Sequence, residues 1–127
     1  MMVLIDTDIL IDVTRDIPHA IQRLTEEVEQ AVPIISSITR KELLMGCRNK
    51  EEVAKILNFL TRFSLQRLTP AIDALADRLL ETYYLSHGLM IPDALIAATA
   101  LELKCPLLSK NQKDFRFINS LVLIPYP

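Results

Sequence analysis

Apolar positions change their period along the chain, and the changes mark where strands give way to helices. Residues 2–5 are four consecutive apolar residues, too few for a helix, and they read as a strand buried on both faces. Asp6 stands where that strand emerges, and Thr7 and Asp8 suit the cap of a short helix over 8–15. Pro18 opens a second helix, in which Ile17, Ile21, Leu24, Val28 and Ala31 recur at spacings of three and four. The apolar run 33–36 predicts a second strand, and residues 37–42 lead into Leu43, Leu44, Met45 and a C-terminal cap at Gly46. A helix over 50–63 places Val53, Ile56, Leu57, Leu60 and Phe63 on one face, and a weak strand follows at 64–68. Pro70 begins a long helix with the stripe Ile72, Leu75, Ala76, Leu79, Leu80 and Tyr83, ended near Gly88.

The segment 92–104 is apolar almost all round until Glu102, which predicts a helix buried on most sides against the sheet. Leu107 and Leu108 form a strand ending at Ser109-Lys110-Asn111, a short helix carries Asp114, and 121–124 is the last strand. Strands alternating with helices imply a parallel sheet covered on both faces. The expected architecture is one α/β/α domain over 1–127, with no repeat, linker or low-complexity segment.

Composition narrows the chemistry. With 127 residues, half of them hydrophobic, the chain has enough material for a single core. Its formal net charge of −2 does not favour nucleic acid, so such a role needs local basic residues beside a site. No apolar run approaches the ~20 residues that span a bilayer, and no secretory pattern opens the chain; the expected location is cytoplasmic, without a membrane role. Cys47 and Cys105 read as reduced core residues, and His19 and His87 as surface residues. Two glycines, Gly46 and Gly88, are too few for a dinucleotide fingerprint or a phosphate-cradling loop.

Four acids fall at element starts: Asp6, Glu42, Asp93 and Asp114. Each has an ordinary explanation. Asp6 with Thr7 and Asp8 caps a helix; Thr39 and Glu42 match a capping box; Asp93 suits a first helical turn; Asn111 and Asp114 suit a cap. Taken together they would meet at the carboxyl edge of the sheet, Asp93 on condition that its helix starts on that side. Clustered carboxylates repel, and a hard divalent cation removes the penalty; oxygen ligands favour Mg²⁺ or Mn²⁺ over zinc. Such an ion supports hydrolysis of a phosphodiester or phosphoryl group.

The segments LIDTDILID at 4–12, ISSITRKELLMG at 35–46, IPDALIAATALEL at 91–103 and LLSKNQKDF at 107–115 resemble PIN-domain proteins, and more narrowly VapC-type toxin ribonucleases. The order and spacing of these segments make the resemblance specific, and it covers nearly the whole chain. It implies a three-layer PIN-like fold with a central, mainly parallel, five-stranded sheet. It also implies an Mg²⁺- or Mn²⁺-dependent endoribonuclease, a homodimer, and a VapB-like antitoxin lying across the active-site groove. By position, Asp6, Glu42 and Asp93 match the family's acidic metal ligands. Asn111 and Asp114 are both candidates for the fourth polar position, and Asp114 is preferred because Asn111 stands where many members have an acid. Ser109 and Thr7 match supporting hydroxyl positions, while Asp8 takes a capping or outer role. Arg40, Lys41, Lys110, Lys113 and Arg116 flank the acids and are candidates for RNA phosphate contacts, or else line a solvated face. Two rival readings remain: an aspartyl-phosphate phosphatase using Asp6 as nucleophile, which lacks a later acidic pair, and a non-catalytic binding module of the same fold.

Overall fold

A strand that is apolar on both faces belongs in the middle of a covered sheet, and β1 (Met2–Ile5) lies there. The computed structural model describes residues 1–127. After β1 come α1 (Thr7–Thr14), α2 (Pro18–Gln30), β2 (Val32–Ser36), α3 (Ser37–Met45), α4 (Lys50–Leu60) and β3 (Ser64–Gln66). The second half adds α5 (Pro70–His87), α6 (Ile91–Leu103), β4 (Leu107–Leu108), α7 (Gln112–Phe115) and β5 (Leu123–Ile124). The five strands lie in the order β3-β2-β1-β4-β5, and every pairing is parallel. The α/β/α architecture expected from the alternating pattern is therefore observed.

Side chains alternate across a strand, so β1 feeds two cores. Val3 and Ile5 point into one with Ile9, Leu10, Leu24, Ile35, Leu43 and Leu60, which come from α1 to α4 and β2. Leu4 points into the other with Ile34, Ile72, Ala76, Ile96, Leu107 and Phe115, under α5 to α7. The all-round apolar α6 is buried from Ala94 to Ala100 apart from Leu95, as its composition requires. Both cysteines are free, and Cys105 is buried while Cys47 is half-buried. No helix is long and apolar enough to cross a membrane.

Several local expectations are corrected. Asp6 itself, not Thr7 or Asp8, caps α1 by accepting the backbone N–H of Thr7, so the helix begins a residue early. Ser36 caps α3, which puts Thr39 inside the first turn and leaves no capping box with Glu42. Of the α2 stripe only Leu24 is buried, with Ala20 beside it; Ile17, Ile21 and Val28 stay exposed, because α1 and β2 cover less than the full apolar face. Gly46 ends α3 with an ordinary helical φ, whereas Gly88 ends α5 at φ 70, the left-handed conformation that glycine adopts without penalty. β3 and β5 are shorter than the apolar runs that announce them.

Candidate active site

Register builds the site. β1 pairs with β4 at Leu4↔Leu107 and Ile5↔Leu108, and the Asp6 N–H donates to the Leu108 carbonyl at 2.9 Å. The next residues, Asp6 and Ser109, therefore leave the sheet side by side. Ser109 Oγ donates to Asp6 Oδ2 at 2.6 Å, while Asp6 Oδ1 accepts from the Thr7 N–H at 2.8 Å. On the other flank β2 also pairs with β1, so α3 starts beside α1. Thr7 Oγ1 donates to Glu42 Oε1 at 2.7 Å and lies 2.9 Å from Thr39 Oγ1. A hydroxyl has one hydrogen, so with Glu42 accepting it, Thr39 is the donor to Thr7. This links α1 to α3 through a buried pair of hydroxyls.

Asp8 is tied more firmly than its capping assignment implied. Its carboxylate accepts the N–H of Lys110 at 3.1 Å and the N–H of Asn111 at 3.1 Å, fastening the turn after β4 to α1. Asp12, which no motif marked, adds an ion pair to Lys110 Nζ at 2.8 Å. Lys110 is thus engaged with α1. Arg40, Lys41, Lys113 and Arg116 form no ion pair, and all but the half-buried Arg40 are exposed.

The acids do converge electrostatically. Burial first, then the charges of Asp8 and Asp93, push the Asp6 carboxyl from 3.8 to about 7, against the hydrogen bonds from Ser109 and Thr7. Asp93 is pushed to about 6 by burial, then by Asp114, Glu42 and Asp8 in that order. Asp8 is raised mainly by burial, and its backbone hydrogen bonds partly offset that. The condition placed on Asp93 is met: its helix starts at the carboxyl edge, where its field reaches Asp6. Asp114 is the leading charge acting on Asp93, while the Asn111 side chain makes no capping bond to α7. No three His, Cys, Asp or Glu side chains form a ready-made metal cage, so the acids share a field without closing into a preset coordination shell.

Thr39 and Asp12 are the two participants that spacing did not reveal. Thr39 carried a signal, a hydroxyl one helical turn before Glu42, but it read as a cap. For Ser109, replacement by Ala removes the hydroxyl that opposes the rise of the Asp6 carboxyl. If the site takes a divalent ion, the expected result is an affinity about 10–100-fold weaker, measured by calorimetric titration with Mn²⁺. Unchanged affinity would mean that this hydrogen bond does not orient Asp6.

The family model of the PIN domain matches residues 3–119. The chain belongs to the PIN-domain family. No curated protein matches it at a significant level. Among solved structures, it is similar to a chain of VapBC2 from Rickettsia felis bound to a promoter DNA fragment, at 25% identity and TM-score 0.83, covering 100% of both chains. A toxin–antitoxin complex from Klebsiella pneumoniae matches at 31% identity and TM-score 0.81, with 98% of each chain covered. VapBC-1 from nontypeable Haemophilus influenzae matches at 25% identity and TM-score 0.82, over 98% of this chain and 97% of that one. The PIN domain thus accounts for nearly the whole length, and the resemblance to VapC-type proteins seen in the sequence extends to the fold.

Proposed function

We propose that this PIN-domain protein is a VapC-type toxin, an endoribonuclease that hydrolyses RNA phosphodiesters in the cytoplasm with Mg²⁺ or Mn²⁺ and is silenced by a VapB-like antitoxin. One observation carries the reading: at one sheet edge, burial first and then the charges of neighbouring acids hold two carboxyls from distant parts of the chain above the usual range, Asp6 with Asp8 and Asp93 acting on it and Asp93 with Asp114, Glu42 and Asp8 acting on it. The donor set fits a hard cation. It consists of carboxylate oxygens without histidine or thiolate, and its repulsion is what a divalent ion relieves. Asp6, Glu42 and Asp93 would hold the ion, with Asp114 assisting. When bound, the ion neutralises charge on the phosphate and lowers the pKa of a water.

The chain's own residues supply orientation. Ser109 and the Thr7 N–H fix both oxygens of Asp6, and Thr7 turns Glu42 toward the site. The Asp8 clasp keeps the Ser109–Asn111 turn in register with α1. In-line attack then leaves a 5′ phosphate and a 3′ hydroxyl. The role of Asp8 also counts against the phosphatase reading, since a carboxylate holding two backbone N–H groups is poorly placed as a general acid.

Two surfaces support the partners in this reading. Ile21, Leu24, Val28, Phe59 and Phe63 line a cleft of about 340 Å³ between α2 and α4, suited to an apolar antitoxin segment. Tyr84, Leu85, Met90 and Ile91 stand exposed at the turn from α5 to α6, a patch suited to a homodimer. The VapBC assemblies among the similar structures agree with an antitoxin partner. The deciding experiment uses partner-free protein and structured RNA. Cleavage in Mg²⁺ that stops in EDTA is expected; cleavage that persists in EDTA would refute metal-dependent hydrolysis.

A further inference from the structure

A concavity of about 1000 Å³ starts at Glu42 and runs away from the acids between α1, α3 and α4. Its volume is at the upper end for a small-molecule pocket, and its lining is unlike one. Arg15, Arg48, Lys55 and Arg62 all line it, in a chain whose net charge is −2. The acids on the same walls are Asp16, Glu42 and Glu52. Glu52 is neutralised within the wall: its carboxylate accepts from the Arg48 side chain at 3.1 Å and from the Arg48 N–H at 2.8 Å. Glu42 belongs to the acidic site. Arg15, Lys55 and Arg62 face the groove with Asp16 and, at its mouth, Glu42 as the acids outside the Arg48–Glu52 pair, and none of the three is in an ion pair.

The apolar part of the lining has the matching form. Ile56 and Phe59 follow Glu52 and Lys55, respectively, by four residues on α4, so charge and hydrocarbon share one helix face. The Arg62 guanidinium lies 5.6 Å from the Phe59 ring centroid, which holds a flat cation over an aromatic platform at the far end. Cations that follow a backbone, with a planar stacking surface among them, are what a single nucleic-acid strand uses when it binds without base-specific contacts. A folded duplex needs no such platform.

Resting on the ribonuclease reading, we propose that this groove is the track for single-stranded RNA flanking the scissile phosphate, with Lys55, Arg62 and Arg15 on its phosphates and the Arg62–Phe59 pair beneath a base. The strand leaves the acidic site past Glu42 and runs along α4. Cleavage would then require several unpaired nucleotides on one side of the cut, and affinity would fall steeply with salt.

The test is fluorescence anisotropy with a labelled single-stranded RNA, in the Asp93→Asn background to prevent cleavage, comparing it with the added pair Lys55→Gln and Arg62→Gln. Both residues are exposed, so neither change disturbs the core. The double change is expected to weaken binding about tenfold at moderate salt and to flatten the log–log salt slope by about 0.7 per lost cation. In the active background, hydrolysis of bis(p-nitrophenyl) phosphate, too small to reach the groove, should not change. RNA affinity equal to the parent's would overturn the proposal and leave the groove to a different occupant, such as a peptide. If the metal-loaded parent hydrolyses neither RNA nor the small diester, the ribonuclease reading fails, while the anisotropy comparison still decides the groove.

Discussion

Replacing Asp93 by Asn should abolish RNA hydrolysis and, in metal-free protein at pH 8, raise the melting temperature. The two effects share one cause. Asp93 carries a charge that burial and three neighbouring acids make costly, and in the proposed metal site a bound cation would offset that cost. Removing the charge relieves Asp6 as well, since Asp93 is one of the groups raising it. Losing one preorganised electrostatic group at a reacting centre costs on the order of 10²–10³ in rate, and a ligand shared by an ion should cost at least that. Asp6→Asn is expected to act in the same direction, and Asn can still cap α1. Initial rates on RNA and melting curves in EDTA check both halves. Variants that keep parental activity would remove Asp6 and Asp93 from the catalytic site. Variants that are inactive and also less stable would point to a purely structural role.

Removing divalent ions should make stability fall as pH rises from about 4 to 7, and Mg²⁺ should reverse that loss at the alkaline end. The folded Asp6 carboxyl titrates at about 7 and the unfolded one at 3.8, so between these values the folded state holds the proton more tightly. Raising pH through that window ionises the unfolded chain first, and the folded state loses relative stability until Asp6 has also ionised. Asp93, raised to about 6, contributes the same sign over a narrower window. Each unit of displacement corresponds to about 1.4 kcal/mol for a fully buried group, less for the half-buried Asp93. Ion binding to the ionised cluster adds about 2.7 kcal/mol at a hundredfold excess over the dissociation constant. Thermal melts at pH 5 and pH 8, with Mg²⁺ and with EDTA, should show a metal-dependent shift only at pH 8. No shift at pH 8 would mean that the acids do not form a cation site.

The order of elements was legible because each carries its own period. The buried strand at 2–5, the capped helix from Pro70 to Gly88 and the all-round apolar segment after Pro92 need no distant partner to be recognised. Helix starts were harder to read. Asp6, Thr7 and Asp8 compete for the cap of α1 in a linear pattern, as Ser36 and Thr39 do for that of α3, and only the backbone conformation decides that Asp6 and Ser36 take these roles. The apolar face of α2 was legible, but its exposure was not, since periodicity states which residues share a face and not whether anything covers them.

The candidate site divides along the same line. Asp6, Glu42, Asp93 and Asp114 stand out in the chain because acids at strand exits and helix starts are visible one at a time, and the resemblance to PIN domains joins them. Which of them feel one another depends on parallel register and on where α6 begins, and both are consequences of packing. Tertiary structure alone brings Ser109 onto Asp6, turns Asp8 into the clasp of the Lys110–Asn111 turn, and pairs Lys110 with Asp12 across about a hundred residues. The chain by itself determined which elements form and which carboxylates are available, because periodicity and local caps act within a few residues. The charge state of those carboxylates was decided only in three dimensions, because burial and coulombic repulsion depend on distance through space.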